Sequence, residues 1–228
     1  MQFDLKSKIW RCLNRKKHQE SSSNLVIEEV INFPTFKLAV NASDYGGKMY
    51  NERGAFEECQ SLLYPIIKNS INPDVIVDVG ANYGFTSLIF SQAFPSAQII
   101  AVEPAINLQP FLKKNLADRK VKIIQAVCGS QNDESVEFGI NPISSQDNRV
   151  IPQQGWNTIS VPQISLDKLL ETIPSSNSLF LKIDTQGFED NVIKGSKNAL
   201  KRFDKWFIKM EFAPFCIKSQ GGNPLNLL

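Results

Sequence analysis

Metal-binding and cross-linking residues are scarce in this chain of 228 residues: it holds one histidine, His18, and four cysteines, Cys12, Cys59, Cys128 and Cys216, with no C-x-x-C spacing among them. A zinc site needs such residues clustered, and a disulfide framework is a device of short secreted chains. No metal and no cross-link are therefore expected, and the thiols are expected to be reduced, in the cytoplasm. Long hydrophobic runs are missing too. Nothing approaches the ~20 apolar residues of a membrane span, and the N-terminus lacks the apolar stretch of a signal peptide. Nor does charge of one sign accumulate: 25 Lys and Arg against 23 Asp and Glu leave a net charge of +2, too little to argue for a nucleic-acid partner. What remains is an ordinary globular composition, 42% hydrophobic and 21% charged, long enough for one α/β core with extensions.

The chain is organised around Val75-Ile76-Val77-Asp78-Val79-Gly80-Ala81-Asn82-Tyr83-Gly84-Phe85-Thr86. Four β-branched residues, broken only by Asp78, predict a central parallel strand covered on both faces. Gly80 and Gly84 predict a sharp turn with room for a ligand against the backbone. Phe85, Leu88, Ile89 and Phe94 then recur at helical spacing, so the loop ends at the N-terminus of a helix from Thr86 to Phe94. Open α/β sheets bind ligands in the crevice above such a loop, at the carboxyl ends of the strands.

The residue order narrows the ligand. A dinucleotide fingerprint reads G-x-G-x-x-G, and Asn82 stands where the middle glycine would bring backbone against a pyrophosphate, which argues against NAD or FAD. Gln98 to Glu103 reads as a second strand ending in a carboxylate, followed by Pro104, and a carboxylate there accepts both hydroxyls of a ribose. With Asp78 expected beside the same crevice, a nucleoside carrying an amino group and a positive centre fits better than a polyphosphate. S-adenosylmethionine meets that description. The candidates to bind it are Asp78, Gly80, Ala81, Asn82, Gly84, Phe85, Thr86, Glu103 and Pro104. Glycines that only pack helix on strand are the competing reading, and Glu103 weighs against it.

Residues 1–24 carry Lys6, Lys8, Arg11, Arg15, Lys16 and Lys17 against Asp4, interleaved with Phe3, Ile9, Trp10 and Leu13. They read as a basic arm, solvated or weakly docked, with weak contact to an anionic membrane surface as the alternative. Residues 25–72 are expected to form an extension. It comprises a hairpin of Leu25 to Phe33 and Phe36 to Asn41, a turn at Asp44 to Gly47, and one amphipathic helix from Glu52 to Lys68. Tyr50, Arg53 and Glu57 are candidates there to face the ligand, a surface role being the alternative for each.

The core is expected over residues 73–228. Strand Val75–Val79, helix, strand Ile99–Glu103, helix Asn107–Ala117 and strand Val121–Val127 alternate as in a doubly wound, mostly parallel α/β sheet with helices on both faces. Ala126 and Val127 are candidates for an adenine pocket, with simple strand packing as an equal alternative. Residues 130–162 interrupt the rhythm with a strand pair, Ser135–Ile140 and Thr158–Val161, around a polar stretch. Such an insertion beside a crevice reads as a lid or a specificity element, with Ser144, Ser145, Asn148, Arg149 and Trp156 as candidates to grip an acceptor and a disordered stretch as the competing reading. A helix from Leu166 to Ile173 leads to the next strand.

Ser178 to Glu189 repeats the logic of the first stretch: a buried strand delivers Asp184, Gly187 allows a turn, and Glu189 opens a helix, where its charge also favours the N-terminal dipole. A carboxylate ending a buried strand is costly unless it is paired or open to a crevice. With His18 in the basic arm, Asp184 is the first candidate for a catalytic base and Glu189 the second. The final strand, Lys205 to Phe212, presents Glu211 in the analogous position.

The set Asp78-Val79-Gly80-Ala81-Asn82-Tyr83-Gly84, Val102-Glu103-Pro104, Ser165-Leu166-Asp167 and Lys182-Ile183-Asp184-Thr185-Gln186-Gly187-Phe188-Glu189, closed by Glu211, resembles the FkbM family of S-adenosylmethionine-dependent methyltransferases over about residues 48–212. The resemblance implies a class I, Rossmann-like methyltransferase fold and methylation of a hydroxyl on a sugar or a polyketide-type natural product. The chain departs from many relatives at Gln186, where they carry glutamate. Seventeen residues follow Glu211, so the last strands of the wider class are expected to be missing. The expected reaction is attack of an acceptor hydroxyl on the sulfonium methyl, with the partners held in line and a carboxylate taking the proton. A non-catalytic S-adenosylmethionine-binding module and a nucleotide-dependent oxidoreductase stay open as other readings.

Overall fold

The computed structural model describes residues 27–60, 62–133, 135–175 and 177–228, the side chains of residues 53–60 excepted. The basic arm, its expected membrane contact and His18 lie outside the described residues. Strands β1 (Glu28–Asn32) and β2 (Lys37–Asn41) form the expected antiparallel hairpin. Its apolar side chains Ile31, Leu38 and Val40 are buried in one cluster with Tyr83, Phe85 and Leu112 of the core.

Two helices replace the single one expected over Glu52 to Lys68: α1 (Tyr45–Gln60) and α2 (Leu63–Ser70). The start moves forward because Asp44 accepts from the N–H groups of Gly46 and Gly47 at 3.1 and 2.9 Å, capping a helix where the glycine pair had suggested a turn. The break follows from Pro65, which has no N–H to give and is tolerated only in a first helical turn. Arg53 and Glu57 lie among the undescribed side chains. In α2, Tyr64 and Ile67 are buried while Leu63, Ile66 and the preceding Leu62 are exposed.

Strand β3 (Val75–Val79), helix α3 (Phe85–Ala93), strand β4 (Gln98–Val102), helix α4 (Gln109–Asn115) and strand β5 (Val121–Ile124) follow the expected alternation. The strand expected to run on to Val127 is cut short. Strand β6 (Val127–Cys128) leaves the sheet, because the returning insertion supplies its partners: Val127 N donates to Pro162 O and Gly129 N to Ile164 O. The insertion holds the expected hairpin, β7 (Val136–Ile140) against β8 (Asn157–Val161), and β9 (Gln163–Ile164) pairs in parallel with β6. A short helix α5 (Leu166–Leu169), strand β10 (Ser178–Ile183), helices α6 (Glu189–Lys194) and α7 (Lys197–Arg202), strand β11 (Lys205–Met210) and helix α8 (Pro214–Ser219) complete the described chain, apart from short 3-10 turns.

The central sheet runs β11-β10-β3-β4-β5 with every neighbouring pair parallel. Side chains of a strand alternate between faces, and both faces are covered. Val75, Val77 and Val79 meet Leu179, Leu181 and Ile183 under Leu166, Val192 and Phe203; Ile76 and Phe180 meet Tyr64, Phe90 and Phe94 on the other side. This is a doubly wound α/β sheet, Rossmann-like. The chain passes from β3 outward to β4 and β5, then returns to place β10 on the opposite side of β3, and such a reversal opens a crevice at the carboxyl ends of the two strands.

Candidate active site

Four residues stand side by side where β3, β4, β10 and β11 end: Gly80, Glu103, Asp184 and Glu211. The ladders continue through them, Asp184 N donating to Val79 O at 3.1 Å, Glu211 N to Ile183 O at 3.0 Å and Glu103 N to Ile124 O at 3.0 Å. Gly80 has φ +78°, and a Cβ on it would lie 2.0 Å from Asp184 O. Only glycine lets the first loop touch the second, so this position joins two stretches a hundred residues apart.

Above them lies a cavity of about 1100 Å³, measured out to its open mouth. Of the residues expected to bind a cofactor, Gly80, Ala81, Asn82, Thr86, Glu103, Pro104, Ala126 and Val127 form its wall, with Asp184. Asp78, Gly84 and Phe85 do not. Strand alternation explains the first: Asp78 shares the face of Ile76, beneath α3, where Lys182 is its register partner on β10. Its carboxylate lies 3.1 Å from Lys182 Nζ and accepts from Ser87 Oγ at 2.6 Å, so it supports the sheet from inside rather than facing the crevice. Gly84 begins α3 with φ +84°, and a Cβ there would meet Leu112 at 2.8 Å. Phe85 stacks edgewise on Phe33 and Phe36 of the hairpin. Both serve packing.

Glu103 is buried, with one oxygen accepting from Asn82 N at 2.8 Å and the other from Ala105 N at 2.9 Å. Burial pushes its carboxyl up to about 7, against the pull of those two N–H groups and of Lys182. Asn82, at φ +53°, takes the left-handed conformation that asparagine tolerates. Its side chain does what a glycine could not, donating to Ser145 O at 3.2 Å and so tying the glycine loop to the insertion.

Asp184 accepts from Gln186 Nε2 at 3.1 Å, and the same nitrogen donates to Glu211 at 3.2 Å. One neutral amide thus holds two carboxylates on the cavity wall, which a glutamate at 186 could not do without a shared proton. Glu189 is placed differently. It is 1% exposed, off the wall, and one oxygen accepts from Thr185 N, Thr185 Oγ1 and Gly187 N. That arrangement shapes the loop that presents Asp184, and Glu189 is not part of the cavity wall.

The sequence reading passed over Asp44. Besides capping α1, its carboxylate accepts from Tyr83 Oη at 2.8 Å, Ser145 N at 2.8 Å and Ser145 Oγ at 2.5 Å. Burial, then the Asp44 charge, raise the Tyr83 phenol far above its usual value, so it stays a neutral donor. The available signal was an Asp before a glycine pair, which marks a turn as readily as a cap. Lys182 was missed as well: it lines the cavity and donates to Gly80 O at 2.9 Å. Of the insertion's candidates, Ser145 and Asn148 reach the wall, while Arg149 lies over the Trp156 ring and Ser144 is buried nearby. Tyr50 also reaches it. Cys128 is in the wall too, but burial pushes its thiol up to about 12, which leaves it no nucleophile. No cluster of three metal-ligating side chains occurs among the described residues.

Comparison with known proteins places these observations. The hexuronic acid methyltransferase AglP of Haloferax volcanii is 29% identical over 145 residues, 62% of this chain and 58% of that protein, so the chain spans less than two thirds of that relative's length. Among solved structures, a precorrin-6y C5,15-methyltransferase from Geobacter metallireducens aligns with 14% identity and a TM-score of 0.41 over 71% of this chain and 66% of its own. A SAM-dependent methyltransferase from Agrobacterium tumefaciens aligns with 8% identity and a TM-score of 0.44 over 89% and 57%. The profile of the methyltransferase FkbM domain matches residues 78–221, a span that includes every strand-end residue of the crevice, and the chain belongs to that family.

Proposed function

We propose that this chain transfers the methyl group of S-adenosylmethionine to a hydroxyl oxygen of a sugar or similar polyol. The observation that carries the reading is Glu103: a buried carboxylate at the end of β4, fixed against the glycine loop by Asn82 N and Ala105 N, with Asp184 open to the same cavity. Glu103 would accept the ribose hydroxyls, the small residues Ala126 and Val127 would flank the base, and the backbone of Gly80 and Ala81 would border the methionine part. When bound, S-adenosylmethionine supplies an electrophilic methyl on a sulfonium. The chain's own contribution is to align the acceptor and to take its proton. Alignment is worth ~7–11 kcal/mol in favourable intramolecular cases and a general base ~10²- to 10⁴-fold. Asp184 is the base in this reading, oriented by Gln186.

A sugar acceptor is supported by the related hexuronic acid methyltransferase. The crevice chemistry supports the cofactor over NAD, since Asn82 and its link to Ser145 fill the place of a pyrophosphate-binding glycine. Action in the cytoplasm belongs to the same proposal, on the wide spacing of the cysteines. Calorimetry with S-adenosylhomocysteine and with NAD, followed by S-adenosylhomocysteine release from S-adenosylmethionine in the presence of neutral methyl hexosides and methyl hexuronosides, tests it. Binding of the first ligand alone and turnover with a sugar are expected. Binding of NAD instead, or cofactor binding without transfer to any hydroxyl acceptor, would sink it in favour of an oxidoreductase or a binding module.

A further inference from the structure

Three polar side chains from the insertion reach the cavity wall, and two of them are spent on holding the insertion down. Ser145 Oγ donates to Asp44, and Gln146 Nε2 donates to Gly46 O at 3.0 Å. The third, Asn148, is only half used. Its Oδ1 accepts from Asn141 N at 2.8 Å, which fixes which end of the amide is which. Its Nδ2 is buried without a hydrogen-bond partner, in a residue 7% exposed. A buried donor left unpaired costs about 1–3 kcal/mol, and natural proteins keep few of them. Elsewhere on the same cavity wall, Asp184 and Glu211 offer acceptors, bridged by Gln186.

We infer that Asn148 is the hydrogen-bond donor of the acceptor subsite, giving its Nδ2 proton to a hydroxyl or ring oxygen of the sugar whose reacting hydroxyl lies at Asp184. The inference rests on the methyl-transfer reading and adds the side chain that recognises the acceptor. An uncharged donor and two carboxylate acceptors on one cavity wall suit a polyhydroxylated ring, which has oxygens to accept and hydroxyls to donate. Specificity then comes from the insertion, while the strand ends supply the chemistry.

The test uses Asn148→Asp, which keeps an oxygen for Asn141 N and the side-chain volume but removes the donor. Its KM for the sugar that the wild type methylates is expected to rise roughly 10-fold or more, with kcat and S-adenosylhomocysteine affinity little changed. An unchanged KM overturns the inference. A second readout needs no turnover. The side-chain amide pair of Asn148 in the proton–nitrogen spectrum of the wild type is identified by its absence from the variant. It is then followed while methyl hexosides and methyl hexuronosides are titrated into protein saturated with S-adenosylhomocysteine. A shift of that pair on sugar binding is expected. A pair that stays fixed, or contacts only an ordered water throughout, overturns the inference. Calorimetry separates the two levels: a wild type that fails to bind S-adenosylhomocysteine removes the methyl-transfer reading and this inference with it, whereas binding with an unmoved Asn148 removes this inference alone.

Discussion

At the end of β4, the Glu103 carboxyl sits near 7 because burial outweighs its two N–H donors. The ionised form can accept two ribose hydroxyls, whereas the protonated form must use one oxygen to donate. Affinity for S-adenosylhomocysteine is therefore expected to rise as pH passes upward through about 7, and Glu103→Gln to flatten that dependence; titration calorimetry at several pH values checks both. Stability of the free protein runs the other way. A folded value raised from 4.5 means that this group's contribution is fully present below about 4.5 and lost as pH rises through about 7, which urea midpoints across that range would register. Asp184→Asn should abolish turnover while cofactor affinity stays within a few fold, read by single-turnover transfer and by calorimetry. Retained turnover would remove Asp184 from the role of base. Both residues were legible in the sequence because each ends an apolar strand. Asp78 was not: a strand buried on both faces carries no mark of which face turns to the crevice, and strand parity settled it only once Lys182 lay beside Asp78.

Elements meet at two tight places. Gly80→Ala would set a methyl 2.0 Å from Asp184 O at a left-handed φ. The conformation costs about 1–2 kcal/mol and the overlap about 1–3 kcal/mol, so a lowered urea midpoint and loss of cofactor binding are expected together. Asp44→Ala removes a helix cap worth about 1 kcal/mol and also the acceptor of Ser145 N and Oγ. Faster hydrogen exchange over residues 141–150, beyond that in α1, is the expected sign that the insertion has been unhooked. Exchange unchanged in that segment would mean the link to Asn82 suffices. The sequence announced both hairpins, the five strands of the central sheet and helices α3 to α6 through periodicity and turn residues, and gave no sign of β9, α7 or α8. It misled where one residue type serves two structures: a glycine pair that opens a helix, and Pro65, which divides a continuous apolar stripe into two helices.

For the whole molecule, the sheet's reversal between β3 and β10 makes one crevice, so a ligand there bridges both halves of the core. A ligand that binds only the folded state stabilises by linkage, roughly 2.7 kcal/mol at a hundred times its Kd, or a Tm rise of about 5–10 °C at this chain length. That rise is expected with S-adenosylhomocysteine and not with NAD, in a thermal-shift measurement. Equal shifts would remove the discrimination assigned to Asn82.

By itself the sequence determined the alternation of strands and helices, the doubly wound sheet, and the acidic strand ends Glu103, Asp184 and Glu211, because these rest on local patterns of burial and turning. The tertiary structure alone decided that Asp44, Asn82 and Ser145 join helix, glycine loop and insertion, that Asp78 turns inward to Lys182, and that the Asn148 Nδ2 is buried without a hydrogen-bond partner. Those outcomes depend on which distant segments share a hydrogen bond, and a hydrogen bond between residues tens of positions apart leaves no period or motif in the order of the chain.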